Sequence, residues 1–131
     1  QPCTNMDILR IRSEVGVALR TFPNVEVHSN GTGGVFVKAV LQTAVMNIYV
    51  ITIQFPNYPN EMPNVFVTKP DLGLHANHQY NAGNICYLHP SYCNPGRHDL
   101  TFVLGRTAKW LNKFEVWRVN KIWPGAEILH T

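Results

Sequence analysis

Residues 25–42 read VEVHSNGTGGVFVKAVLQ, and they decide the fold class. Two runs rich in β-branched residues, Val25–Ser29 and Val35–Gln42, flank a glycine-rich turn. Asn and Gly accept the positive φ angles of tight turns, so this pattern predicts a β-hairpin. Two further strands are predicted over residues 46–55 and Asn64–Lys69. Because the connections are short, we expect one antiparallel four-stranded meander.

Helical spacing of apolar residues appears on both sides of the predicted sheet. The pattern before the sheet predicts a helix over residues 7–22, with Thr4 as its N-cap and Asp7 as the capping-box partner. Near the C-terminus, Asp99 can cap helical structure that continues to about Lys121. Strands followed by helices are typical of an α+β domain, an antiparallel sheet with helices on one face. We expect all 131 residues to form a single domain.

The composition is that of a globular protein, with 45% apolar residues, 15% charged residues and a net charge of +3. No stretch approaches the ~20 apolar residues of a membrane span, and no secretory leader is recognisable, so we expect a cytoplasmic protein. Three cysteines do not make a disulfide framework and fit a reducing compartment. Six of the eleven Lys and Arg residues fall within residues 97–121, which we interpret as a solvated helix face. A docking face for an acidic protein is the alternative, and no nucleic-acid stripe is expected.

One long stretch, residues 77–96, has neither a long apolar run nor a helical period; it reads NHQYNAGNICYLHPSYCNPG. Its glycines, prolines and asparagines predict an extended, irregular surface segment. Such long segments in small domains are usually functional or disordered, and Ile85 and Tyr87 are apolar anchors that argue against disorder. We interpret the stretch as a loop that displays Cys86 as a nucleophile. The alternative is an inert cysteine buried in the core.

Two sequence motifs, taken together with this order of elements, resemble those of a known protein family. The connector after the third predicted strand contains Tyr-Pro-Asn-Glu-Met-Pro at residues 58–63, and the loop contains Gly-Asn-Ile-Cys at residues 83–86. Together with the order of helix, meander, long loop and C-terminal helices, they resemble the ubiquitin-conjugating enzyme family. The resemblance implies that family's fold. Eukaryotic members carry His-Pro-Asn before the active cysteine, whereas this chain has His-Ala-Asn at residues 75–77, displaced by one extra residue.

The C-terminal half is similar to a bacterial branch of this family, whose members occur beside cyclic-nucleotide-synthesising enzymes in antiphage defence systems. The similarity covers roughly residues 56–130 and includes the pattern His-x-Tyr-x-x-Gly-x-Ile-Cys at residues 78–86. It also includes three tryptophans, which we interpret as core residues: Trp110, Trp117 and Trp123. One position departs from the branch, because Cys93 stands where its members commonly have Trp.

The resemblance implies thioester chemistry at Cys86. Its sulfur would take the activated carboxyl end of a modifier or partner protein, for which a cyclic-nucleotide synthase is one candidate, and an amine would then displace it. The Gly-Thr-Gly-Gly turn at residues 31–34 lacks the Gly-Lys-Ser/Thr ending of a phosphate-binding loop. The chain therefore cannot adenylate its own substrate, and a separate activating enzyme is a further expected partner. No cofactor is expected.

Two residues are the main candidate helpers of the active cysteine. His78 can act as a base toward the incoming amine, since imidazole titrates near neutrality, and His75 is a weaker candidate. Asn77 can donate a side-chain N–H to the oxyanion that develops during transfer, a role also open to Asn81 and Asn84. Each of these residues has an ordinary alternative, which is hydrogen bonding for His and turn geometry for Asn.

Three other interpretations use the same residues. A non-catalytic adaptor of this fold would bind a partner without using Cys86. A redox-sensing domain would join Cys86 to Cys93, but in a reducing compartment we expect that bond to stay open. A zinc site would draw on these two cysteines and the three nearby histidines. Their spacing matches no common ligand pattern, so no metal is expected.

Overall fold

The computed structural model describes residues 6–70, 72, 79–80, 82–88 and 98–124. Within these ranges two helices enclose four strands in sequence: α1 (Ile8–Ala18), β1 (Val25–Ser29), β2 (Val35–Gln42), β3 (Ile48–Gln54), β4 (Asn64–Lys69) and α2 (Leu100–Asn120). The strands pair antiparallel in the order β1-β2-β3-β4. The predicted α+β fold with a four-stranded meander is confirmed. That all 131 residues form one domain stays a prediction.

The glycine-rich turn between β1 and β2 is confirmed as a hairpin connection. The side-chain oxygen of Asn30 accepts the backbone N–H of Thr32 at 2.9 Å and of Gly34 at 3.1 Å. Gly31 and Gly33 have φ angles of +83° and +87°, which side chains rarely adopt. These residues therefore close the turn between β1 and β2.

Two predicted elements begin or end elsewhere than expected. Asp7, predicted as the partner of Thr4, is itself the N-cap of α1, and its carboxylate accepts the Arg10 N–H at 3.0 Å. Thr4 lies outside the described residues. The helix ends at Ala18 rather than residue 22, because the chain then tightens into turns that close on the last helical carbonyls. β3 begins at Ile48 because Met46, at φ +71°, belongs to the turn before it.

The core lies between one face of the sheet and both helices. Alternate residues of the two central strands point into it, among them Val37, Ala39, Leu41, Tyr49, Ile51 and Ile53. α1 and α2 add their apolar stripes, as the α+β prediction requires. Trp110 and Trp123 are buried in this core and Trp117 packs against it, which confirms their predicted role.

Helix α2 spans 21 residues and carries four of the basic residues, Arg106, Lys109, Lys113 and Arg118, which do not form a single exposed face. The Asp99 carboxylate accepts the Phe102 N–H at 3.0 Å, and Lys121 ends the helix in the left-handed conformation at φ +61°. Lys109 and Arg118 are exposed on it. In the described part of the chain, no helix is long and apolar enough to span a bilayer.

Candidate active site

The connector between β3 and β4 is tied to both helices. The Tyr58 carbonyl accepts the Asp7 N–H at 2.9 Å, and the Tyr58 hydroxyl donates to the Glu14 carboxylate of α1. The same Glu14 oxygen accepts the N–H of Leu100, the first residue of α2, at 2.9 Å. This N–H is one of the donors that a helix leaves without an internal partner, and the helix dipole favours a negative charge there. Glu14 therefore joins α1, the connector and the N-terminus of α2.

Residues 82–88, called here the active segment, run along the open edge of the sheet. The Ile85 N–H donates to the Val65 carbonyl of β4 at 2.8 Å. Ile85 also forms an isolated antiparallel bridge with Gln79. The buried Tyr87 hydroxyl donates to the Pro63 carbonyl of the connector at 2.7 Å. Cys86 is thus held between two residues that are anchored to the sheet edge and to the connector.

The thiol of Cys86 is covered, and the prediction that the loop displays it at the surface is wrong. Cys86 is only 7% exposed, while Ile85 and Tyr87 on either side are 2% and 4% exposed. The two apolar neighbours insert into the core, and the backbone between them is drawn in with them. The structure therefore leaves little of Cys86 in contact with solvent.

The groups around Cys86 shift the pKa of its thiol in opposite directions. Burial raises the pKa of the thiol above its ordinary value. Three groups act in the other direction: the Tyr80 hydroxyl, which is hydrogen-bonded to the sulfur, the Leu88 backbone N–H, and the guanidinium of Arg106. Arg106 lies on α2, and its Nε donates to the Tyr87 carbonyl at 3.0 Å. Burial outweighs these contributions, so the resting thiol is protonated at neutral pH.

The comparisons with known proteins agree with this geometry. The family model described as "Type II CBASS E2 protein" matches residues 16–131, most of the chain. The chain belongs to the Type II CBASS E2 family. A solved structure, described as a complex of the Vps23 UEV with ubiquitin, is similar to this E2-like chain with a TM-score of 0.56 and 16% identity. The likeness covers 82% of this chain and 84% of that one and shows the shared fold. No curated protein matches the chain.

Most of the other predicted site residues of this CBASS E2 protein lie outside the described residues; they are His75, Asn77, His78, Asn81, His89 and Cys93. Asn84 is described. Its backbone carbonyl accepts the Tyr80 N–H at 2.8 Å in a turn where Gly83 takes φ +98°. This arrangement agrees with the turn interpretation of Asn84. Within the described ranges, no group of three His, Cys, Asp or Glu side chains is placed to hold a metal.

Tyr80 and Arg106 were not singled out from the sequence as helpers of Cys86. Tyr80 precedes Cys86 by six residues, inside a motif already noted for its His and Tyr. Arg106 follows it by twenty residues and reaches it only because α2 packs against the active segment. Tyr80 was thus within reach of sequence reasoning, while Arg106 required the tertiary fold.

Proposed function

We propose that this CBASS E2 protein carries the C-terminal acyl group of a partner protein as a thioester on Cys86 and passes it to an amine. The observation that carries the proposal is the position of the Gly-Asn-Ile-Cys motif, whose cysteine lies between the sheet edge and α2 of an E2-like fold. The family match supports the same conclusion. The partner is a protein with an activated C-terminus, for which a cyclic-nucleotide synthase is the candidate drawn from the resemblance.

The proposed transfer takes place in two balanced steps. In the first, the thiol gives its proton to a base and its sulfur bonds to the acyl carbon, while the activating group, a thiol or a phosphate, leaves with the electron pair. In the second, an amine nitrogen bonds to the same carbon and the Cys86 thiolate leaves, with the amine proton passing to a base. Nothing is oxidised or reduced. A separate activating enzyme attaches the activating group to the acyl carbon beforehand.

Two further residues are proposed for this reaction. His78 is the proposed base, because imidazole exchanges protons near neutral pH. Asn77 is the proposed donor to the oxyanion, a group whose removal typically costs about 2.7–4 kcal/mol of barrier. Since Cys86 is 7% exposed, loading also requires that the partner or activating enzyme opens the active segment. We propose that this opening is coupled to partner binding.

A non-catalytic adaptor is the second candidate function, and two observations favour it. A thiol that is buried and has a raised pKa is the ordinary state of a structural cysteine. In addition, the UEV with the similar fold was solved in complex with ubiquitin. An adaptor of this kind would bind a partner protein without forming a bond at Cys86.

The experiment that separates these functions uses three forms of the chain: wild type, Cys86→Ser and Cys86→Ala. Each is expressed together with its neighbouring genes and analysed on gels without reductant, with reductant, and with neutral hydroxylamine. Wild type should give an adduct that both reagents cleave. Cys86→Ser should give an oxyester that resists reductant, and Cys86→Ala should give none. Mass spectrometry should find the partner's C-terminal carboxyl joined to residue 86.

Two results would contradict acyl transfer. An adduct that reductant cleaves but hydroxylamine does not is a mixed disulfide with a partner cysteine and not a thioester. Undiminished partner binding by Cys86→Ala, with no covalent adduct in wild type, would support the adaptor. A circular-dichroism spectrum of each variant serves as the control for folding.

A further inference from the structure

The turn before Cys86 places one tyrosine against the thiol. The Gly83 N–H donates to the Tyr80 carbonyl at 2.9 Å, and the Tyr80 N–H donates to the Asn84 carbonyl at 2.8 Å. The next pair outward is the bridge between Gln79 and Ile85, and the Gln79 side chain is fixed on the Gly83 carbonyl at 3.0 Å. These bonds make a short two-stranded ladder with a defined register.

The register of this ladder explains why Tyr80 and Cys86 meet. Side chains alternate between the two faces of a ladder, so Gln79 and Ile85 share one face while Tyr80 and Cys86 share the other. Residues offset by two positions across an antiparallel pair are diagonal neighbours, within reach of an aromatic side chain. The Tyr80 hydroxyl is accordingly hydrogen-bonded to the Cys86 sulfur.

We propose that Tyr80 is a positioning residue for Cys86, whose hydroxyl donates a hydrogen bond to the sulfur and stabilises the thiolate before acyl transfer. This role rests on the proposed function, because a stabilised thiolate is useful only if Cys86 acts as a nucleophile. Burial and the bond to Cys86 raise the pKa of Tyr80 far above neutrality, so its hydroxyl keeps the proton it donates. A donor to the anion favours the anion.

The test measures the reactivity of Cys86 without any acyl partner. Iodoacetamide alkylation of the Cys86 peptide is followed by mass spectrometry from pH 6 to pH 11, and the midpoint is the pH of half-maximal rate. Tyr80→Phe keeps the ring and removes only the hydroxyl. We expect its midpoint to lie about one pH unit above that of wild type. Tyr49→Phe is the matched control, because it removes a buried, hydrogen-bonded hydroxyl from β3, and its midpoint should equal that of wild type.

A second variant avoids any change of shape. Site-specific 3-fluorotyrosine at position 80 makes the phenol a stronger donor, so its midpoint should move below that of wild type. The proposal is overturned if Tyr80→Phe leaves the midpoint unchanged or lowers it, if Tyr49→Phe raises it equally, or if the fluorinated protein matches wild type. A midpoint that moves as expected in a protein that never forms an adduct would refute the proposed function and leave the Tyr80 contact standing. An adduct that forms although Tyr80→Phe leaves the midpoint unchanged would support the proposed function and refute the role of Tyr80.

Discussion

Two tyrosine–glutamate hydrogen bonds hold α2, one at each end of the helix. At its N-terminus, Glu14 of α1 accepts the hydroxyl of Tyr58 and the N–H of Leu100. Toward its C-terminus, Glu115 belongs to the helix itself and accepts the hydroxyl of Tyr49 at 2.8 Å. The first carboxylate comes from outside the helix and joins three elements, whereas the second reaches out from the helix to β3.

The two junctions differ most in what surrounds them. A small apolar crevice adjoins the N-terminal junction, and the connector, the active segment and α2 all line it, through Tyr58, Tyr87 and Phe102 among others. The C-terminal junction borders a wide cleft under the β2–β3 hairpin. Among the described residues that line this cleft, none belongs to the active segment. The difference indicates that the N-terminal junction supports both stability and the site, and the C-terminal one stability alone.

The largest expected effect that tests this difference is that of Glu14→Ala. It leaves the Tyr58 hydroxyl and the Leu100 N–H without their acceptor, so the free energy of unfolding should fall by about 3 kcal/mol. Urea denaturation measures this, and Cys86 alkylation at pH 8 should become faster because the active segment opens more often. Arg10→Ala is the control: it removes the ion-pair partner of Glu14 and a cation–π contact with the Tyr58 ring, keeps both hydrogen bonds of the junction, and should cost about 1 kcal/mol. A loss no larger in Glu14→Ala than in the control would contradict the role of the junction.

A smaller effect is expected from Glu115→Gln. Burial alone would raise the pKa of Glu115, but hydrogen bonds from Asn47, Thr43 and Tyr49, with Arg118 nearby, lower it below its ordinary value of 4.5. A lowered pKa in the folded state means that the stabilisation is present above pH 4.5 and is lost as the pH falls through the folded-state pKa.

The measurement for Glu115→Gln is urea denaturation at several pH values. The variant should be less stable than wild type by about 1 kcal/mol at pH 7. The difference between the two proteins should shrink as the pH falls below 4.5 and the wild-type carboxyl takes up its proton. Cys86 alkylation should not change. A constant difference from pH 7 to pH 3, or altered alkylation, would count against the contrast between the junctions.

The smallest expected effect concerns the bond between α2 and the active segment. The Arg106 guanidinium donates to the Tyr87 carbonyl, and its charge lowers the pKa of the Cys86 thiol. Arg106→Gln removes both effects. The alkylation midpoint should rise by a few tenths of a pH unit, while Arg106→Lys, which keeps the charge, should restore most of the difference. Lys109→Gln removes an exposed charge from the same helix and is the control. Equal shifts in both Gln variants would show a general effect of net charge.

The sheet could be predicted from the sequence because each strand has its own local pattern of residues. β1, β2 and β4 lie where they were predicted, since alternation of β-branched residues between turn residues needs no long-range information. The helix boundaries were less accurate. The apolar stripe continued to Phe22, but the backbone tightens into turns after Ala18, and periodicity does not distinguish a helix from the turns that follow it.

The role of Cys86 as the central residue of the candidate site stays a prediction, and the residues that surround it were missed. Cys86 was identified from its local motif, and the E2-like family agrees with the resemblance on which that identification rested. Its burial, the Glu14 junction and the Arg106 contact depend on residues that are far apart in sequence. Such contacts leave no periodic or compositional trace in one chain, so a loop rich in Gly, Asn and Pro was expected to be exposed even though Ile85 and Tyr87 draw Cys86 inward.

The covered thiol has a consequence for the lifetime of the protein under oxidative stress. Hydrogen peroxide attacks the thiolate, and oxidation beyond the sulfenic acid is in general not reversed. A cysteine that is 7% exposed and whose thiol has a raised pKa offers peroxide little access and little thiolate. The same packing that covers Cys86 therefore also slows its oxidation, so that the thiol of a chain made long before it is needed should still be reduced.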